Sequence, residues 1–204
     1  MSSTADDVKL DESELLHLAM LAMREDRHDE ATRLLKRAHE DFPQSARALH
    51  LLGAEHAQMG LFDRAVAEMA EAIRLDPSLT AARLQLGLLH ATSGRAVEAE
   101  TTWQPLEQLS PEDPMRLFKS AMVHVLHDEF AQGIDCLKRG IAHNTVNEPL
   151  NVDMRRLLAD LEQRQSGKRS LRNGAQPAAV KIPPPMKRVT LPAYDRNSEP
   201  TSDT

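Results

Sequence analysis

Large apolar residues return along this chain at one fixed interval. Leu35, Met69, Trp103 and Leu137 stand 34 residues apart, and Leu18, Leu52 and Leu86 keep the same step. Small and helix-ending residues share the period: Ala31, Ala65 and Ala99, then Gly53 and Gly87, Gly60 and Gly94, and Pro43, Pro77 and Pro111. A repeat this regular has to be read before any other fold signal. The intervening residues are dominated by Ala, Leu, Glu, Arg and Met, which favour helix. The pattern predicts paired helices over 13–25 and 28–41, 45–59 and 62–75, 79–93 and 96–109, and 114–127 and 130–143.

The punctuation agrees with that reading. Asp11 and Glu14 have the spacing of a capping box at the first helix start. The stretches "EDRHDE", "MGLFDR", "SGRAVE" and "HDEF" place Gly or Asp where each pair turns. The periodic prolines end each second helix, because proline cannot continue one. Pro105 falls inside the second helix of the third pair and predicts a kink or an early stop. The fourth pair is the least regular, with Gly133 and Gly140 where alanines stand earlier and Thr145 in the proline column. A last amphipathic helix is predicted over about 148–165, with Leu150, Met154, Leu157, Leu158 and Leu161 as its apolar stripe. It reads as a terminal cap, or equally as the first helix of an incomplete fifth pair.

The run "LHLLGAEHAQMG", followed by Ala65, Met69, Ala72 and Pro77, resembles the tetratricopeptide repeat family. His56 stands where that family usually has Tyr. The resemblance covers roughly residues 12–143 as four units. It implies an all-α fold, a right-handed α-α superhelix of about four helix-turn-helix repeats, followed by a C-terminal capping helix and a disordered tail. The expected organisation is a flexible N-terminus at 1–11, a repeat domain with its cap at 12–166, and a tail at 167–204.

The resemblance also implies a concave surface lined by the first helix of each pair. Carried onto this sequence, the lining columns hold Leu16, Met20, Met23 and Arg24 in the first unit and Arg47, His50 and Gln58 in the second. The third contributes Leu84 and Leu88, and the fourth Met115, Phe118, Met122 and Val125. The Lys and Asn clamp with which some members hold an acidic tail is absent, because its places hold Leu16, His50, Leu84 and Phe118, then Met20, Ala54, Leu88 and Met122. A mostly apolar, Met-containing lining suits a hydrophobic or amphipathic segment. The same side chains could instead pack against the capping helix, the tail or a second copy.

Composition narrows the classes. Aromatic residues make up 3 % of the chain, too few for an ordinary β-sandwich or barrel. Residues 1–166 carry 18 Lys/Arg and 28 Asp/Glu, a balance of 18 − 28 = −10; residues 167–204 carry 7 − 3 = +4. An acidic body argues against a nucleic-acid surface there. The tail holds "KIPPPMKRVTLPAY", whose prolines favour an extended or disordered segment. There is no basic-then-apolar leader at the start and no run long enough to span a membrane, so a cytoplasmic protein is expected.

Catalytic chemistry finds no purchase in the sequence. Cys136 is the single cysteine and reads as a structural thiol. His124 and His127 lie one helical turn apart beside Asp128, yet no third ligand stands at a convincing spacing. His56, His90 and His124 recur at the repeat period as packing residues. No phosphate-cradling glycine loop is present. The expectation is a non-enzymatic adaptor without cofactor or metal, binding an apolar or amphipathic segment of another protein. Nucleic acid and membrane insertion are excluded and a homodimer is left open. The alternatives are a chaperone for a hydrophobic client of a type III-like secretion system, and a regulatory subunit that anchors an enzyme through its tail.

Overall fold

Four of the helix starts share one sequence column. Asp11, Ser45, Asp113 and Asn147 are N-cap residues separated by multiples of 34, and each turns a side-chain oxygen onto backbone N–H groups of its own helix. Such caps satisfy donors that the first turn leaves without intrahelical acceptors. The computed structural model describes residues 10–170, with side chains through residue 165. Among the described residues every regular element is helical. Of the expected flexible N-terminus at 1–11 only residues 10 and 11 are described, and of the expected tail at 167–204 only residues 167–170, which continue the last helix to Ser170 beyond the expected end near 165.

The chain divides into two compact units, residues 1–82 and 83–204. The first holds α1 (Glu12–Arg24), α2 (His28–Asp41), α3 (Ala46–Gln58) and α4 (Phe62–Leu75). Asp11 and Glu14 form the expected capping box: Glu14 N–H donates to Asp11 Oδ1 at 2.8 Å, and Asp11 N–H to Glu14 Oε2 at 2.9 Å. α1 packs on α2, α2 on α3 and α3 on α4. Leu15, Ala19, Ala31, Leu35, Leu51, Ala65 and Met69 are almost wholly excluded from solvent. The small columns explain the close approach. A Cβ on Gly53 would lie 2.9 Å from Met69 Cγ and 3.1 Å from the Ala65 carbonyl oxygen.

The second unit contains most of α5 (Thr80–Thr92), then α6 (Ala96–Trp103), a 3-10 turn (Gln104–Gln108), α7 (Pro114–Leu126), α8 (Phe130–His143) and α9 (Glu148–Ser170). Pro105 acts as expected, ending the α-helix at Trp103 instead of 109. It supplies no N–H to the ladder and crowds the preceding turn. Thr101 and Thr102 also donate to the Val97 and Glu98 carbonyls, at 2.8 and 2.7 Å, which competes with the helix ladder. The 3-10 turn still buries Leu106. Glu107, in the same turn, is held by Lys119 and by Arg116 of α7, the latter at 3.0 Å.

All four turns within hairpins close in one way. The residues Asp26, Gly60, Gly94 and Asp128, again 34 apart, have φ of 56°, 76°, 76° and 60°. The next N–H reaches back over the turn: Arg27 to Ala22, Leu61 to His56, Arg95 to His90 and Glu129 to His124, all at 2.8–2.9 Å. This is the left-handed Schellman closure. Two hairpins use glycine for it and two use aspartate.

α9 begins in register with the first helices of the pairs and packs on α8. The loop before it lacks the periodic proline and is tied by side-chain amides. Asn144 donates to the Asn147 carbonyl at 2.6 Å and to Asn151 Oδ1 at 3.0 Å, while Asn151 donates to the Asn144 carbonyl at 2.9 Å. Gly140 leaves room for the Met154 sulfur, which would stand 2.8 Å from a Cβ there. In the column that holds Ala19, Gly53, Gly87 and Ala121, α9 has Arg155, exposed and bonded to Glu148 at 2.6 Å. That outward position is charged, as the end of a repeat stack requires.

Candidate partner-binding surface

In the first unit the lining columns divide by chemistry. Leu16, Met23 and His50 are buried, Met20 and Gln58 are half-buried, and Arg24 and Arg47 are exposed. In the second unit Leu84, Leu88, Met115, Phe118, Met122 and Val125 are all buried, none more than 3 % exposed. The expected apolar lining is therefore present in sequence but withdrawn from solvent. Apolar side chains gain by leaving water, and the accessible remainder is one thioether, one amide and two guanidinium groups. Arg24, in the last turn of α1, is placed where a cation complements the helix C-terminus.

Several polar groups are buried where the sequence suggested only helix faces. Glu55 of α3 is fully buried. Its Oε1 meets His28 Nδ1 of α2 at 2.5 Å, and its Oε2 has no hydrogen-bond partner. Its column holds Leu21, Leu89, Val123 and Leu157 elsewhere, so a carboxylate in an apolar column was the available signal. Lys119 is likewise buried and reaches Glu107. That bond, aided by Arg116, holds the Glu107 carboxyl below the usual carboxylate range.

The histidines of the Tyr column differ from unit to unit. His56 Nδ1 meets Glu68 at 2.7 Å and His124 Nδ1 meets Glu129 at 2.6 Å. His90 Nδ1 has no hydrogen-bond partner; burial, with Arg95 adding to it, lowers its pKa against the opposing pull of Glu98. His127 turns to Glu100 at 3.0 Å, so His124 and His127 address separate glutamates. Among the described residues no three His, Cys, Asp or Glu side chains form a group able to hold a metal. Cys136 is buried, and burial pushes its thiol pKa up, away from nucleophilic chemistry. No described helix is long and apolar enough to cross a membrane.

Two family descriptions, both of the tetratricopeptide repeat, match this sequence, one over residues 12–55 and the other over 50–114. Among solved structures the chain is similar to one in the crystal structure of the APC/C hetero-tetramer Cut9–Hcn1, with a TM-score of 0.66 and 19 % identity over 80 % of this chain. This chain spans 33 % of that one. It is also similar to MamA residues 41 to the end from Desulfovibrio magneticus RS-1, with a TM-score of 0.56 and 15 % identity, covering 78 % of this chain and 88 % of that one. MamA MSR-1 C2 gives 0.51 and 22 %, covering 68 % and 79 %. At these identities the likeness is one of fold: all-helical, of the tetratricopeptide solenoid class. No curated protein matches the sequence.

Proposed function

Because this chain belongs to the tetratricopeptide repeat family, we propose that it is a non-enzymatic scaffold that holds a segment of another protein against the first helices of its hairpins. The observation that carries this reading is the division of the lining columns in the first unit. Met20, Arg24, Arg47 and Gln58 keep solvent access while their apolar neighbours are buried. A surface of this kind takes an amphipathic segment: Met20 supplies adaptable apolar contact, and Arg24 and Gln58 supply hydrogen-bond donors. The buried residues Leu16, Met23 and His50 of the same unit then act as the packed bed beneath the contact surface.

The test compares the full chain with Arg24→Glu/Gln58→Ala and with Arg64→Glu on exposed α4. A protein captured by the full chain should be lost by the first variant and kept by the second, each variant having an unchanged helical spectrum. Equal capture by all three would sink the reading. Capture that disappears only on deleting 171–204 would move recognition to the tail.

A further inference from the structure

Two first helices, α3 and α9, meet the helix ahead of them by the same columns of the repeat, whereas in α7 these columns hold Arg116, Ser120, Val123 and His127, none of them buried. In α9 these columns hold Leu150, Met154, Leu157 and Leu161, none more than 3 % exposed, and α9 packs on α8. In α3 the first three hold Ala48, Leu52 and Glu55, none more than 5 % exposed, and α3 packs on α2. In α1 the same four columns hold Glu14, Leu18, Leu21 and Glu25. There Leu18 is 39 % exposed, Leu21 is half-buried and both glutamates are exposed. Leu18 and Leu21 are i, i+3 neighbours, so they form one patch.

We propose that this face of α1 is a docking site for an amphipathic helix of another protein, one with small residues seven apart along its contact face and Lys or Arg at its flanks. The molecule contains its own precedent for such an occupant. α8 receives the equivalent stripe of α9 with Gly133 and Gly140, seven residues apart. A Cβ on these would lie 3.5 Å from Leu161 Cδ1 and 2.8 Å from the Met154 sulfur. The same pairing ends in a cation on the receiving helix, Lys138 to Glu162 at 2.9 Å. Facing the occupant, α1 presents two leucines bracketed by carboxylates. Glu25 shares the Arg27 guanidinium with Glu30, and Asp26 follows it, so this end stays acidic. Charge complementarity therefore calls for cationic flanks.

The same charges disfavour a second copy docked through its own α1. An antiparallel pair centred between Leu18 and Leu21 sets position 14 against position 25, since 14 + 25 = 18 + 21. Glu14 of one copy would then meet Glu25 of the other, and like charges across a helix pair are repulsive. The contact expected is a helix laid along an apolar stripe, with anchors at helical spacing.

The experiment uses the full chain and two synthetic helical peptides with the same leucine ridge and two alanines seven apart. One peptide carries Lys at both flanks and the other Glu. Fluorescence anisotropy should show the Lys peptide binding at least about tenfold more tightly than the Glu peptide, a difference of about 1.4 kcal/mol. Leu18→Gln/Leu21→Gln should abolish that binding, with a melting curve confirming the fold. Arg24→Glu/Gln58→Ala should not weaken it, because the charge added beside Glu25 favours a cationic flank, and this separates the site from the surface proposed above. Equal binding of the two peptides, or loss only in the Arg24/Gln58 variant, would overturn the proposal. So would a concentration-dependent dimer in sedimentation that disappears in Leu18→Gln/Leu21→Gln, because the occupant would then be a second copy.

Discussion

Trp103 lies across Gly87 so closely that residue 87 can carry no side chain. A Cβ there would stand 2.0 Å from the indole Nε1 and 2.3 Å from Cε2. The indole N–H donates to the Leu84 carbonyl at 3.0 Å, which fixes the ring over the glycine. Gly87→Ala should therefore cost about 3 kcal/mol by overpacking a buried site. Urea unfolding measures it. Trp103→Leu in the same chain should return part of the loss, because the two residues are in contact and their effects do not add. Full additivity would mean that the ring already has room to move.

The hairpin turns offer a paired comparison. Asp26 and Asp128 occupy the left-handed conformation that Gly60 and Gly94 adopt in the other two turns. Asp26→Gly and Asp128→Gly should each be stabilising or neutral, within about 1 kcal/mol, as strain is relieved against the entropy glycine adds to the unfolded chain. Gly60→Ala and Gly94→Ala should destabilise by about 1 kcal/mol, although a Cβ at either position would have no heavy atom within 4 Å. Thermal melts of the four variants decide it. Loss of stability in the aspartate variants would mean that their side chains do more than occupy the turn.

Lys119 and Glu107 set one acid dependence. The Glu107 carboxyl is held below its ordinary range by Lys119 first, with Arg116 assisting. A depressed folded-state pKa contributes stability that is present above the unfolded value and is lost as pH falls through the folded one. Glu107→Gln should cost about 1–2 kcal/mol at neutral pH, since it leaves the Lys119 ammonium buried without its carboxylate. It should also remove part of the wild-type loss below pH 4. Lys119→Met should cost less at neutral pH, because it removes the buried charge itself. Denaturant titrations at several pH values compare them, and a larger cost for Lys119→Met would contradict this account.

Asp153 on α9 has the opposite sign. Burial raises its carboxyl to about 6, against the opposing charge of Arg156. A raised folded-state pKa means that the native state binds the proton more tightly, so the destabilisation is complete above about pH 6. It is relieved as pH falls toward the unfolded value, near 4. Asp153→Asn should stabilise the protein at pH 8 by about 1 kcal/mol or less, the group being partly exposed. The gain should vanish near pH 3.5. A gain that does not change with pH would assign the effect to packing.

The period made most of the fold legible, down to the capping box at Asp11 and the stop at Pro105. These depend on a few neighbours along the chain, and local sequence reports them directly. The solvent access of the lining columns was not legible in the same way. Phe118 and Met122 were assigned to a binding surface by their column, but whether a column position meets water depends on what packs over it. Arg24 and Arg47 were named and stay exposed. Glu55, Lys119 and the asparagines Asn144, Asn147 and Asn151 around the start of α9 were missed because polar residues in such positions are ordinarily solvated, and only their partners reveal them as buried. The glycines of the fourth pair looked like weakened repeat positions. In the structure they leave the space that Met154 and Leu161 fill.

Trp103 is the chain's one tryptophan; its side chain is fully buried and rests on Gly87 and the Leu84 carbonyl, both within residues 83–170. Its emission therefore reports on the packing of that half around Gly87, whereas far-ultraviolet ellipticity sums helices from both. In a repeat protein each hairpin leans only on its neighbours, so loss of cooperativity between halves is an ordinary outcome. Denaturation followed by the two signals together becomes a readout of whether residues 10–82 and 83–170 open as one body. Coincident curves would mean that they do. An emission change displaced from the ellipticity curve would give each half its own midpoint, and every single stability value for the chain would then need to say which half it describes.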